Sequence, residues 1–462
     1  MSPDQPVTRL LAEFASRARF SDLSLVVVAD TQRAVLDWLG SALAGAEEPP
    51  ARIAQRVVAT LGRSEEATVF GAGRSAAATA ALANGVASHI LELDDVHKGS
   101  TLHAAAPVIP AALAVAEREH RNGEAFLLAV ALGYEAAFRV GEAVNPSHYR
   151  FWHPTGTAAT FGAAVAAGSL LELDETAMLH ALGSAGTQAA GLWEFNADGA
   201  MSKHLHPGKA AFNGVLAADL ARQGFTGASR ILEGARGFFR ATSAVFDATR
   251  ITDGLGTRWK VSENCYKLHS CCGHTHTAID VALDYRAAAG DADITSVDVA
   301  TYASGYEIVS ERNPKTPYQA KFSLAYCVAA ALVEGRVGLA QFTPDRFSEQ
   351  GVTDPRIRAM VDRVRIVVDP ELTARYPAEW GTKIRFTGRG GAAVELGAAF
   401  PRGNPENPVS TGVLEDKLRD LVSPRLGAAV ADRAIGAVHG LTQCGDMAMA
   451  FADVGPNAIV TR

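Results

Sequence analysis

The densest group of chemically versatile side chains in this sequence is NCYKLHSCCGHTHTAID, residues 264–280. It gathers Cys265, Cys271 and Cys272 with His269, His274 and His276, from a total of 5 cysteines and 13 histidines. Such crowding suggests a metal. A structural zinc site, however, presents its ligands in pairs, C-x2–4-C or H-x3–5-H. Here two cysteines are adjacent, one residue splits His274 from His276, and no second pair follows at a normal spacing. Third and fourth cysteines at iron–sulfur spacing are also missing. The stretch therefore reads against a metal. The alternative is an anion site. Lys267 supplies charge, and the loop 268–275 leads into a helix expected over 276–289, whose first backbone N–H groups and a histidine meet the anion. A cysteine there also suits a small buried hydrophobe.

Three other polar segments interrupt apolar helices. LELDDVHKGSTLHAAAPVIP, residues 91–110, places Asp94, Asp95, His97, Lys98 and His103 in a loop. Paired acids followed by histidines suit a metal, a base or a helix cap. YRFWHPTGT, residues 149–157, sets His153 before a long small-residue helix, as an anion contact or a cap. FNADGAMSKHLHPGKAAFNG, residues 195–214, puts Lys203, His204, His206 and Lys209 ahead of the helix AAFNGVLAADLARQG. No H-E-x-x-H zinc template is present, so cations before a helix start fit carboxylate binding, with an exposed basic turn as the plainer reading.

The elements that position these segments fall into two textures. DTQRAVLDWLGSALAGA, SAAATAALANGVASHILEL, PVIPAALAVAEREH and GEAFLLAVALGYEAAFRVGEAV repeat apolar residues at helical spacing, with small residues on their faces. Pro107 and Pro110 suit a first helical turn, and Asp174 suits an N-cap. From about Thr257, the segments TRWKVSE, TSVDVATYAS, VRIVVD, TKIRFTG and AAVELG read as strands. The helices HTAIDVALDYRAAAG and KFSLAYCVAAALVEG lie between them. GRGG at 388–391 reads as a hairpin turn, FPRGNPENPV as a linker, and LEDKLRDLVSPRLGAAVADRAIGAVHGL as helix again. The expected fold is mainly α with an α+β part: an all-helical domain from 1–257 and 401–462, and an α+β lid from 258–400.

Composition narrows the function. The 462 residues are 48% apolar and 20% charged, which fits a packed two-domain protein. A net charge of −7 argues against nucleic acid as partner, while leaving room for a local basic pocket. Five irregularly spaced cysteines suit a reducing compartment. MSPDQPVTRLLAEFA lacks the pattern of a signal peptide, and the longest apolar tract, Thr155 to Leu171, reads as a buried helix rather than a membrane span. A cytoplasmic protein without membrane association is expected. No phosphate-binding P-loop, dinucleotide fingerprint or nucleophile elbow is found.

Taken in order, LELDDVHKGSTLHAAAPVIPAALAVAE, GAMSKHLHPGKAAFNGVLAADLARQGFTGASRILEGARGF, NCYKLHSCCGHTHTAIDVAL, KFSLAYCVAAALVEG and YPAEW…GNPENP resemble the MmgE/PrpD family. Its members include 2-methylcitrate dehydratases, cis-aconitate decarboxylases and an iminodisuccinate epimerase. The resemblance covers nearly the whole chain. It implies a large helical domain with a smaller α+β lid, a homodimer, and no metal or organic cofactor. It also implies site residues. The acid of the LDD motif falls on Asp94 or Asp95, with Asp94 preferred. The histidine before the APVIP helix is His103, that of the H-P-T segment is His153, and the lysine of K-x-L-H-x-G is Lys203. The lysine opening K-x-x-x-C-C is Lys267, and the tyrosine of F-S-x-x-Y is Tyr326. His97, His206, Cys272 and His276 are expected to bind substrate. Two departures stand out. Methylcitrate dehydratases tend to carry Asn in the acidic motif, where this chain has LELDDVH. The decarboxylases place a histidine five residues after the lysine, where this chain has Cys272; that role passes to His269, His274 or His276, or is absent.

The implied chemistry is proton removal beside a carboxylate of a small di- or tricarboxylate. Charge then builds on the carboxylate oxygens and needs cations aimed at them, here Lys203, Lys267, His103 and His153. Asp94 or a histidine serves as base, with Tyr326 or another histidine as acid. The expected activity is that of a lyase or isomerase, foremost a 2-methylcitrate dehydratase-like hydro-lyase. The alternatives are an epimerase of an amino-dicarboxylate such as iminodisuccinate, and a cis-aconitate-type decarboxylase.

Overall fold

Alanine and glycine set how closely the helices of this chain approach. The computed structural model describes residues 6–62, 64–290 and 293–454. The chain forms two compact units, Met1–Ile90 with Asp94–Asn264 and Ser410–Arg462, and Leu91–Leu93 with Cys265–Val409.

The first unit is helical apart from a small antiparallel hairpin, Ala67–Val69 with Gly73–Ser75. Its centre is built from the helices Ala77–His89 (α1), Ala105–Arg118 (α2), Gly123–Val144 (α3), Ala158–Leu170 (α4) and Ser202–Arg222 (α5). The apolar tract expected as a buried helix is α4, buried except at Ser169. Helix starts follow local chemistry. The Asn122 side chain accepts from Ala125 N–H at 2.9 Å to open α3, and Asp174 accepts from Ala177 N–H at 2.8 Å to open Glu175–Gly186.

Small residues then fix the crossings. A Cβ on Gly85 of α1 would lie 2.8 Å from the Gly208 Cα of α5, and one on Gly162 of α4 would lie 2.5 Å from the Gly133 carbonyl oxygen of α3. Buried polar ties complete the unit. Arg139 of α3 is fully buried; its guanidinium pairs with Glu135 at 2.6 Å and donates to the carbonyls of Arg250, Ile251, Asp253 and Arg258. That wiring explains one difference from expectation. TRWKVSE forms a turn and the short 3-10 helix Lys260–Glu263, not a strand, because Lys260 N–H is taken by Glu135 at 2.7 Å.

Two other boundaries differ from the sequence reading. Pro110 lies in the second turn of α2 rather than its first, and α5 begins at Ser202, so Lys203 and the two histidines sit inside the helix. An internal proline removes one N–H donor, and in each case the helix continues past it.

The second unit is α+β. Its sheet comprises Ile294–Thr301 (β1), Val364–Val368 (β2), Thr382–Gly388 (β3) and Ala393–Ala398 (β4), in the order β2-β1-β3-β4. β1 pairs parallel with β2 and antiparallel with β3, and β3–β4 is the hairpin expected around GRGG, with Gly390 and Gly391 at φ 96° and 83°. Val297 and Val299 of β1 and Ile384 and Phe386 of β3 face the core, where Tyr285 of the helix His276–Ala289 stacks on Phe386 at 3.9 Å. FPRGNPENPV is a tied loop rather than a loose linker. Gly403 accepts from Tyr266 N–H at 3.0 Å, and Arg402 N–H donates to Asp280 at 2.8 Å. Among the described residues, no helix is long and apolar enough to cross a membrane.

Gly208→Ala tests the close approach, because its Cβ would sit 2.5 Å from the Leu82 carbonyl oxygen, a backbone atom that cannot turn aside. We expect about 1–3 kcal/mol of destabilisation in denaturant unfolding; an unchanged midpoint would remove the argument.

Candidate active site

Five of the histidines meet in the helical unit. His89, the last residue of α1, is fully buried, and its Nδ1 lies 2.7 Å from Asp94 Oδ2. A carboxylate only accepts, so His89 Nδ1 carries the proton. The His89 ring centre lies 4.9 Å from His103, 5.6 Å from His153 and 6.3 Å from His204, and His153 lies 5.3 Å from His206. Trp193 and Phe195 close over His153 at 4.8 and 6.1 Å.

The two acids of the loop have separate tasks. Asp94 touches histidines: besides His89, the Nδ1 of His103 lies 3.5 Å from its Oδ2. Asp95 is a fastening. It accepts from the Tyr134 hydroxyl at 2.6 Å, Asn264 Nδ2 at 2.8 Å and Ala105 N–H at 3.1 Å, the last at the start of α2. Burial pushes Asp95 up to about 7, partly offset by the Tyr134 hydrogen bond. Its backbone oxygen also accepts from Nδ1 of half-buried His103, which places a proton on that nitrogen.

His153 and His206 form a pair, Nδ1 to Nδ1 at 3.1 Å. Burial lowers His153 well below its usual value, reinforced by the charges of His89, His206 and Lys203. Burial likewise lowers His206 to about 4, with His89, Lys209 and Lys203 adding to it. Both rings are therefore neutral at neutral pH and share one N–H between them. One ring then keeps a lone pair on Nε2 and the other an Nε2–H, so the pair holds a base and an acid at once. Buried Lys203, second residue of α5, supplies the nearby positive charge.

The structure thus brings Asp94, His103, His153, Lys203 and His206 together. It gives His97 other company: its ring stacks on Phe138 at 4.2 Å, and its Nε2 lies 3.5 Å from Glu263 and 3.7 Å from Glu142. By distance, His97, Glu142 and Glu263 could hold a metal ion, as could His89, Asp94 and His103. In the first set Lys260 already bonds both carboxylates, at 2.9 and 2.8 Å, and serves as the cation.

The remaining candidates belong to the α+β unit. Lys267 is buried, with Nζ 3.5 Å from Glu92. Glu92 has φ 58°, an uncommon left-handed conformation for a residue with a side chain. Half-buried Cys272 donates its N–H to the Lys321 carbonyl at 2.9 Å. His276 opens its helix and directs Nε2 at the Cys271 carbonyl, 3.3 Å away, while His269 bonds Asp280 at 3.0 Å. His274 bonds the Tyr302 hydroxyl at 2.6 Å and stacks on Trp380 at 4.6 Å; burial lowers it to about 3. Tyr326 is a core residue. Its hydroxyl donates to the Gln341 carbonyl and its ring packs on Phe347 at 5.3 Å, so it is not brought to the Lys267 group. Sequence reasoning missed His89, whose only signal is its place near the end of the helical pattern and five residues before Asp94.

Comparison with known proteins covers both units. Residues 9–250 match the MmgE/PrpD N-terminal domain and residues 269–443 the MmgE/PrpD C-terminal domain. The chain is 27% identical to the cis-aconitate decarboxylase-like protein oryM of Aspergillus oryzae, over 98% of each chain. It is 28% identical to the cis-aconitate decarboxylase of Aspergillus terreus, over 73% of this chain and 74% of that one. With the cis-aconitate decarboxylase of Homo sapiens it shares 26% identity, over 91% of this chain and 88% of the relative.

The histidine environment makes stability depend on pH. His148 Nδ1 donates to the Thr242 carbonyl at 3.1 Å, leaving Nε2 to accept from Thr157 at 2.8 Å, and burial lowers it to about 4. The unfolded chain, with its histidine near the ordinary 6.5, binds the proton first. Stability present above pH 6.5 is therefore lost as pH falls toward about 4. His148→Asn, which keeps a donor toward Thr242, should flatten this loss by up to roughly 1.4 kcal/mol per pH unit within that window. Denaturant unfolding at pH 7 and pH 5 measures it, and equal pH slopes would exclude His148 as a source.

Proposed function

Because this chain belongs to the MmgE/PrpD family, we propose that it is a lyase acting on a small di- or tricarboxylate. The reaction is proton transfer at carbon beside a carboxylate, with decarboxylation as its outcome. The observation that carries this reading is the group of Asp94, Lys203 and five histidines, in which buried His153 and His206 stay neutral and share a proton. Buried Lys203 supplies positive charge suited to a substrate carboxylate. Loss of CO2 leaves an electron pair that must be delocalised and then protonated on carbon. Neutral imidazoles suit that step, because one ring offers N–H while its partner receives the replacement proton. Asp94 acts through His89, whose Nδ1 proton it holds.

Decarboxylation is preferred because the relatives at 26–28% identity are named cis-aconitate decarboxylases or a decarboxylase-like protein. The same acid and base would also serve dehydration of a hydroxy acid, where the acid protonates the leaving hydroxyl.

The purified protein is to be incubated with cis-aconitate, and separately with 2-methylcitrate, in D2O. Expected are CO2 release from cis-aconitate and one deuterium on a product carbon. Loss of water from 2-methylcitrate without CO2 from cis-aconitate would replace decarboxylation by dehydration, and neither turnover nor exchange with any carboxylate would sink the reading. Lys203→Ala should raise KM and lower kcat. His153→Ala should lower kcat by about 10²–10⁴-fold, the usual worth of one acid–base group. Unchanged rates would remove these residues from the site.

A further inference from the structure

In the α+β unit, three buried side-chain atoms have no hydrogen-bond partner among the described residues: Lys267 Nζ, Tyr318 Oη and Trp380 Nε1. All three can donate. An unmet buried donor costs about 1–3 kcal/mol, so three of one polarity in one unit call for an acceptor from outside the chain. They also flank one loop. Lys267 opens the loop 267–275, and Lys267 itself is only 2% exposed. Trp380 stacks on His274 at 4.6 Å, and a Cβ on Gly273 would lie 3.0 Å from its ring, which keeps glycine there. Tyr318 stands one turn before Lys321, in the short helix Pro317–Lys321, and the Lys321 carbonyl holds Cys272 N–H at 2.9 Å. Lys321 Nζ and Ser270 Oγ both bond the Leu91 carbonyl, at 3.0 and 2.8 Å, and so fasten the strained Glu92 beside Lys267.

We propose that the loop 267–275, with Tyr318 and Trp380, is a carboxylate-recognition subsite in which Lys267 Nζ and Tyr318 Oη donate to one carboxylate and Trp380 Nε1 to a further oxygen of the same ligand. The 3.5 Å pair with Glu92 is longer than a hydrogen bond, so Glu92 offsets the ammonium's charge while its donors remain for the ligand. Burial, with the charges of Glu92 and Cys272, holds the Tyr318 hydroxyl well above its ordinary value, so it stays protonated as a donor. A planar carboxylate matches this set better than a cation or a sugar hydroxyl, because it accepts and never donates. The inference rests on the carboxylate reading above and extends it to two residues, Tyr318 and Trp380.

The test measures binding of propane-1,2,3-tricarboxylate, a saturated ligand, by calorimetry and by its effect on Tm. Wild type should bind. Tyr318→Phe should weaken binding about tenfold or more, the usual value of a hydrogen bond to a charged acceptor. Because the variant deletes an unmet donor, its ligand-free Tm should stay level or rise. Trp380→Phe should weaken binding in the same direction, with the stacking ring retained. If wild type binds while both variants bind as tightly as it does, the subsite is overturned and the function stands. A fall in ligand-free Tm of Tyr318→Phe with unchanged affinity would assign its hydroxyl a structural role and equally overturn it. If wild type binds neither this acid nor cis-aconitate, the carboxylate reading itself fails.

Discussion

The buried carboxylate of Asp95 is the interaction on which the helical unit's chemistry depends. One side chain accepts from α3 through Tyr134, from Asn264 and from the first residue of α2. Its own carbonyl then orients His103. The loop between α1 and α2 also buries Val96, Leu102 and Ala104, and these polar bonds add direction to that apolar packing. Asp94, one residue earlier, is thereby left to the histidines. Adjacent acids of identical type thus acquire different roles from their surroundings alone: three donors around one, imidazole rings around the other.

The second governing feature is charge management without many charges. A buried site crowded with histidines would be unstable if they were protonated together. Burial and mutual repulsion keep His153 and His206 below their ordinary range, so most of the positive charge there rests on lysine. Lys260 shows the same economy elsewhere in the helical unit, where an ammonium between Glu142 and Glu263 stabilises a grouping that resembles an ion site.

Much of this was legible in the sequence because period and punctuation are local properties. The helices of the first half, the Asp174 cap, the strands at 294–301, 364–368, 382–388 and 393–398, and the glycine turn between the last two follow from residue type and spacing. The strand reading of TRWKVSE failed because Glu135 and Arg139, more than a hundred residues earlier, claim that backbone. The site divides in the same way. Asp94, His103, His153 and Lys203 stood out as ionisable residues breaking apolar runs. His89 did not, since it ends an apolar helix and looks like its boundary. Tyr326 and Tyr318 could not be ranked from sequence: both precede or open helices, and only the partner of each hydroxyl tells them apart. One bonds Gln341, and the other has none among the described residues.

The contact of α1 with α5 carries a further meaning. Gly85 and Gly208 meet backbone to backbone, with His89 one turn beyond the first and Lys203 little more than one turn before the second. The missing methyl groups act as a spacer of zero thickness, which sets how far a ring at the end of one helix stands from an ammonium at the start of the other. Divergence of substrate preference among related chains therefore need not begin at a reacting group. A single added carbon at the crossing would re-aim ring and ammonium together, and a survey of the reacting side chains alone would record no change.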